Sequence, residues 1–387
     1  MKYISEFRDG QVAQALARAI AAEVHSTREY SVMEFCGGHT HAIFRYGVQD
    51  LLPSNVRLVH GPGCPVCVLQ INRLDNAIEL ANMPDVLLCS YGDMLRVPGS
   101  RKRSLLKARA EGRAVHMVYS AAEALQLARE NPAKQVVFFA IGFETTTPPS
   151  AVVILEAERL GLKNFSVFCN HVLTPAAIQS ILNSPDVREL GTVQVDGFIG
   201  PSHVSTVIGS RPYEYFAREY QRPVVIAGFE PLDVLQAVHM LVKQLNDGRA
   251  EVENQFTRGV TVAGNVKAQT LVAEVFELRR SFEWRGLGTV PYSGLRIKRK
   301  YAQYDAEARF SLMAHTVAEN RACECGAILR GVKKPHDCKI FGTVCTPRNP
   351  IGSCMVSSEG ACAAYYKFRR NEREARPRPA THETSAE

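Results

Sequence analysis

Three groups of sulfur-bearing residues stand out by type and spacing. In Gly61-Pro62-Gly63-Cys64-Pro65-Val66-Cys67 two thiols are two residues apart, a spacing that can close a disulfide or share a metal. Cys36-Gly37-Gly38-His39-Thr40-His41 offers a thiol and two imidazoles, with glycines that let backbone and solute approach the sulfur. Such a pair could serve as nucleophile and base or bind a transition metal with a second protein. His39 is favoured as the functional imidazole. The third group is Cys323, Cys325, Cys338, Cys345, Cys354 and Cys362, within forty residues. Zinc favours close Cys-x-x-Cys pairs, which this group lacks, whereas wide, uneven spacing suits an iron–sulfur cluster. A cubane takes four ligands and six cysteines are on offer, so spacing alone does not choose among them.

Other residues carry weaker signals. In Gly142-Phe143-Glu144-Thr145-Thr146-Thr147-Pro148, a capping threonine and a first-turn proline explain a helix start but not Glu144. Glu144 is a candidate acid/base or hydrogen-bond anchor. His171 and His203 follow strand ends, where structural and functional roles weigh equally. Cys89 and Cys169 lie inside apolar runs and read as core.

Positioning these groups calls for an alternation of strands and helices. The β-branched run 56–60 precedes the dithiol, and apolar residues at helical spacing (Leu74, Ile78, Leu80) follow it. Cys64 is thus expected near a helix N-cap with Pro65 in the first turn, and Gly61 and Gly63 supply backbone angles that other residues resist. Helix 11–24 opens the chain, and strands are expected at 30–35, 85–89, 114–119, 135–141, 165–169, 195–199 and 223–227. This pattern predicts an α/β fold with two parallel-sheet domains, 1–130 and 131–254. Parallel sheets collect ligand groups at the C-terminal ends of their strands. If the sheets face one another, Cys36, Cys64, Cys67, Glu144, Thr145 and His203 turn towards one cleft. Residues 255–368 read as a smaller domain with helices at 268–280 and 305–319 and a loop-rich cysteine segment that needs a metal staple. Residues 369–387 read as a disordered tail.

Bulk composition narrows the classes. The 387 residues carry a formal charge of +7. No apolar run reaches membrane-spanning length and no signal-peptide profile opens the chain, so a cytoplasmic protein without a membrane role is expected. Eleven cysteines in that compartment point to metal or redox work. Basic clusters at 101–103, 296–300 and 369–370 lack the interleaved aromatics of a nucleic-acid module. They read first as solvated surface and second as steering for an acidic partner or anionic ligand.

Taken in order, Cys36-Gly-Gly-His-Thr-His41, Gly61-Pro-Gly-Cys-Pro-Val-Cys67, Gly142-Phe-Glu-Thr-Thr-Thr-Pro148, Pro201-Ser-His-Val-Ser205 and Cys354-Met-Val-Ser-Ser-Glu-Gly-Ala-Cys362 resemble the HypD family. Its members are maturation factors of [NiFe]-hydrogenase, and the likeness runs from about residue 10 to 368. The resemblance implies a scaffold that assembles Fe(CN)2CO with a small HypC-type chaperone. Cyanide comes from a HypE-type donor, and the product passes to the hydrogenase large subunit. It implies Cys36 as iron ligand, Cys64 and Cys67 as a redox-active dithiol, and a [4Fe-4S] cluster on Cys323, Cys338, Cys345 and Cys362. Cys325 and Cys354 are then extra, and Cys325 could replace Cys323. The resemblance also implies Glu359, in the motif beside the last ligand, as a functional acid. The alternatives are a free-standing iron–sulfur thiol–disulfide oxidoreductase and, more remotely, a cysteine-nucleophile hydrolase.

Overall fold

The computed structural model describes residues 5–312, 317 and 320–368. The expected tail at 369–387, and part of the expected helix 305–319, lie outside them. Strands β1 (Tyr30–Glu34), β2 (Val56–His60), β3 (Val86–Ser90), β4 (Val115–Met117), β5 (Gln135–Gly142), β6 (Phe165–His171), β7 (Gly197–Pro201), β8 (Val224–Ala227) and β9 (Val252–Asn254) form two sheets. One has the order β2-β1-β7-β8-β9 and the other β4-β3-β5-β6. Every pairing within them is parallel. The α/β expectation is met.

The sheets do not follow the expected division at 130/131. β3 and β4 pair with β5 and β6, and the chain then returns to extend the sheet begun by β1 and β2. Parallel neighbours are joined by crossovers, so order in the sequence does not fix neighbours in the sheet. Strands covered on both faces read as continuous apolar runs, and β1, β3, β6, β7 and β8 are buried throughout.

Helices begin where side chains satisfy their first amides. The Asp9 carboxylate accepts from the N–H groups of Gln11 and Val12 ahead of helix Gly10–Glu23, and Ser120 caps Ala121–Glu130. The helix expected at 268–280 stops at Val275, where the chain becomes strand Phe276–Leu278, antiparallel to Leu295–Ile297. The stop follows from packing: Phe276, Leu295 and Ile297 enter the core of the β4-β3-β5-β6 sheet. A second ladder pairs Ser281–Trp284 with Gly288–Pro291.

The loop-rich cysteine segment, expected to need a metal staple, also contributes to the core. Cys325, Ile328, Leu329, Phe341, Cys345, Cys354 and Met355 are buried in one continuous core with Met33, Phe35, Cys64, Cys67 and Trp284. Helix Ala361–Phe368 packs on helix Gly37–Tyr46. A buried side chain of this kind contributes about 1.5–3 kcal/mol, so the segment is held by apolar packing as well as by anything its thiols bind.

Candidate metal and redox site

At the end of β1 sits Glu34, a fully buried acid in an otherwise uncharged strand. Such an acid must be hydrogen-bonded. Its carboxylate accepts the Cys36 N–H at 2.9 Å and the Thr40 hydroxyl, and lies 2.8 Å from His60 Nδ1 at the end of β2. Glu34 thereby ties the start of helix Gly37–Tyr46 to two adjacent strands. Cys36 is its N-cap residue, extended and buried. Burial first, and then the Glu359 charge, raise the Cys36 pKa, while the Gly38 and His39 amides act in the opposite direction.

The dithiol turn lies against this helix start. The Gly37 N–H donates to Gly63 O at 3.1 Å. A Cβ on Gly63 would run into the backbone of Cys36 and Phe35, and one on Gly61 would come within 2.8 Å of Glu34 O. Neither glycine has a positive φ among the described residues. The expectation that they supply unusual backbone angles is therefore corrected: they allow two loops to touch. Cys64 and Cys67 are joined in a disulfide with Cα atoms 5.2 Å apart. Cys64 is the N-cap residue, Pro65 stands in the first turn, and Cys64 Sγ accepts the Cys67 N–H at 3.3 Å. The expected continuous helix is broken into Pro65–Val68 and Ile71–Asn82. The break occurs where Leu69 bridges to Trp284 and Val68 O accepts the Arg285 N–H at 2.8 Å.

His39 is fully buried, with Nε2 at 3.0 Å from Ala227 O and 3.1 Å from Gly228 O. Two carbonyl acceptors require the proton on Nε2, which leaves Nδ1 as an acceptor; Nδ1 has no hydrogen-bond partner. Burial lowers the His39 pKa, so the ring is neutral. Phe229 packs between His39 and exposed His203, with ring centroids at 4.8 and 4.1 Å. The Phe229 ring also fills the space a side chain at position 38 would need.

One loop joins these parts to the C-terminal cysteines. Between Cys354 and Cys362, Glu359 lies against Gly37 so closely that a Cβ there would collide with it. Just before Cys354, the Ser353 hydroxyl donates to Cys67 O at 2.8 Å. Desolvation of the carboxyl, then the charges of Asp93 and Glu34, raise the Glu359 pKa. The Cys354 thiol is within hydrogen-bonding reach of Cys325 and Cys362, and Cys323 within that of Cys325. Cys338 and Cys345 are near enough for the Cys323 charge to act on them. Among the described residues no three His, Cys, Asp or Glu side chains surround the position of a single metal ion.

Glu144 has a different setting. It is buried, accepting the Thr174 N–H at 2.8 Å and the Thr174 hydroxyl at 3.0 Å, at the start of helix Thr174–Leu182. Burial pushes its pKa up to about 7 against those hydrogen bonds. It lines a cavity of about 1270 Å³ with Leu173, Pro175 and Phe216. The charges of Glu144 and Cys36 both reach the buried Tyr213 hydroxyl, which lies 3.3 Å from Ser205 Oγ. His171 is buried with Nε2 at 2.8 Å from Ser150 Oγ, a structural arrangement.

Three sulfur groups separated in the sequence are thus linked through the Cys36 turn, the dithiol turn and the loop around Cys354–Cys362. The HypD family profile, described as "Hydrogenase formation hypA family", matches residues 11–369. Hydrogenase maturation factor HypD of Azotobacter vinelandii is 68% identical over 370 residues, covering 96% of this chain and 97% of its own length. The Escherichia coli K12 protein of the same name is 45% identical over 380 residues, 97% and 100% of the two chains. This chain belongs to the HypD family. Family membership makes it a hydrogenase maturation factor, and no helix among its described residues is long and apolar enough to cross a membrane.

The motifs of the family do not contain every residue of the site. Glu34, His60 and Ser353 lie outside those read from the sequence. Glu34 had a usable signal, an acid inside a strand otherwise fit for burial. Ser353 had none, because its partner is 286 residues away.

Proposed function

We propose that this HypD-family chain is the scaffold on which Fe(CN)2CO is assembled for [NiFe]-hydrogenase. Iron is held at Cys36 together with a HypC-type chaperone, and a HypE-type protein donates cyanide. The observation that carries this reading is the loop Cys354–Cys362. It touches the Cys36 turn through Glu359 and leads from Ser353, whose hydroxyl donates to the Cys67 backbone carbonyl.

Each residue has a chemical part. Iron brought to Cys36 displaces the thiol proton, offsetting the burial that otherwise keeps the sulfur protonated. The Gly38 and His39 amides oppose the negative charge left on sulfur. Glu34 fixes the turn, and His39, three residues from Cys36 on the helix that follows it, is a neutral ring with its Nδ1 lone pair free. Glu359 is an acid at the rim, able to hold a proton near the cargo. Opening Cys64–Cys67 takes two electrons and two protons and yields two thiols.

The six C-terminal thiols fit a [4Fe-4S] cluster in number and convergence. Cys323, Cys338, Cys345 and Cys362 are the proposed ligands. Cys325 and Cys354 stand close enough to substitute. When bound, the cluster supplies electrons one at a time.

Infrared spectra of the protein purified with its chaperone test the proposal. Bands of metal-bound CN and CO are expected in the native protein and absent in Cys36→Ala. A native complex without those bands, yet reducing protein disulfides in general, overturns it in favour of a free-standing oxidoreductase.

A further inference from the structure

We infer that the basic surface beside Cys323 docks an acidic one-electron carrier protein, which reduces the cluster from that side; this rests on the cluster reading above. Of the six C-terminal cysteines Cys323 alone is partly exposed, the other five being buried. It lines a cavity of about 280 Å³ with Arg101, Lys102, Arg285 and Gly352, and no described residue of the lining is acidic. The wall is thin at Gly352, where a Cβ would collide with the sulfurs of Cys323 and Cys325. An electron arriving here meets one backbone segment before the thiols.

The approach to that wall is held in place. Arg101 and Lys102 are consecutive β-carbon-bearing residues with φ of 56° and 57°, a conformation that L-residues resist and that persists where surrounding structure enforces it. Asp75 enforces it by accepting from Ser100 N at 2.9 Å and Ser100 Oγ at 2.6 Å, while the Gly99 N–H donates to Arg103 O at 2.7 Å. Asp75 belongs to helix Ile71–Asn82, which follows the dithiol. Arg103 is paired with Glu111 at 3.0 Å, but no described carboxylate lies within ion-pair range of Arg101 or Lys102.

The charged surface is larger than a small anion needs. Between residues 101 and 113 six Lys or Arg residues, all exposed, accompany a single acid, Glu111. Leu106 is 47% exposed among them. A cationic field of this extent accelerates encounters with an oppositely charged partner of protein size. At each encounter one electron passes from the carrier to the cluster, oxidising the carrier by one and forming no bond.

The probe is a reduced, acidic [2Fe-2S] ferredoxin, offered at low and high salt to the full-length protein containing its cluster. Binding is followed by interferometry and cluster reduction by stopped-flow absorbance. Arg101→Glu/Lys102→Glu is expected to weaken binding and slow reduction by roughly ten-fold or more at low salt. Reduction by dithionite should be unchanged. Arg18→Glu/Lys243→Glu alters net charge equally on exposed helix positions and should bind as the native protein does. Equal binding and reduction by the native protein and the loop variant overturn the inference, as does a native protein that the ferredoxin neither binds nor reduces. Iron and sulfide analysis is read separately, so absence of a cluster counts against the proposed function while the binding measurement still tests the surface.

Discussion

Burial displaces Glu144 and His171 in opposite directions, which makes the pH dependence of stability a residue-scale test of both environments. His171 falls from 6.5 to about 4 because burial disfavours its charged form. Its unfolded form therefore binds the extra proton between those values. Its contribution is complete above pH 6.5 and is lost as pH falls towards 4, about 3 kcal/mol in all. Glu144 rises from 4.5 to about 7 through burial. Here the folded form binds the extra proton, so stability is complete below pH 4.5 and falls by about 3 kcal/mol as pH rises to 7. Over the shared range the two slopes oppose. Glu144→Gln should uncover the histidine slope, with stability rising from pH 4.5 to 6.5 relative to the native protein. His171→Gln should uncover the reverse. Urea midpoints measured across this range decide it, and parallel curves for all three proteins would contradict both assignments.

At the scale of elements, the contact between the Cys36 turn and the dithiol turn depends on the absence of a side chain at position 63. Gly63→Ala places a methyl group against the backbone of Cys36 and Phe35, which cannot rotate aside. A loss of about 1–3 kcal/mol is expected from overpacking, together with faster alkylation of Cys36 as its turn is displaced. Gly10→Ala has open space around its Cβ and should be neutral within a few tenths of a kcal/mol. Calorimetry and maleimide labelling read both effects, and a Gly63→Ala protein as stable and as slowly labelled as the native one would refute the close approach. The same glycines show what was legible. Strands ending in glycine-rich turns were readable because β-branched runs and prolines are local signals. The reason for Gly63 was not, since its neighbour lies on another loop. Sheet membership of β3 and β4 was hidden likewise, because a parallel crossover can lead to either side. Cys36 and the dithiol could be read from residue type, whereas Glu34 is distinguished only by the burial of its strand.

On the scale of the whole molecule, the C-terminal cysteine segment and the β1 end of the first sheet form one packed unit. They share a core, and helix Ala361–Phe368 covers helix Gly37–Tyr46. The β5–β6 ladder belongs to the other sheet: Val136, Phe138 and Ala140 face that sheet's own core, while Val137, Phe139 and Ile141 face the core shared with the cysteine segment, and none of them touches the loop Cys354–Cys362 as directly as Gly37 does. Disturbance of the loop Cys354–Cys362 should therefore travel to the Cys36 and dithiol turns before it reaches β5. Gly360→Ala supplies the disturbance without removing a thiol, since its new methyl group would meet the Cys354 backbone carbonyl. The loop meets the Cys36 turn directly and β5 only through the shared core, so local opening should be largest where contact is direct. Amide exchange is expected to accelerate by about ten-fold or more across 36–46 and 64–68, corresponding to at least about 1.4 kcal/mol of lost protection. Residues 136–142 should exchange as in the native protein. Uniform acceleration along the chain would mean that both sheets open as one unit, and no acceleration near Cys36 would mean that the loop does not support the site.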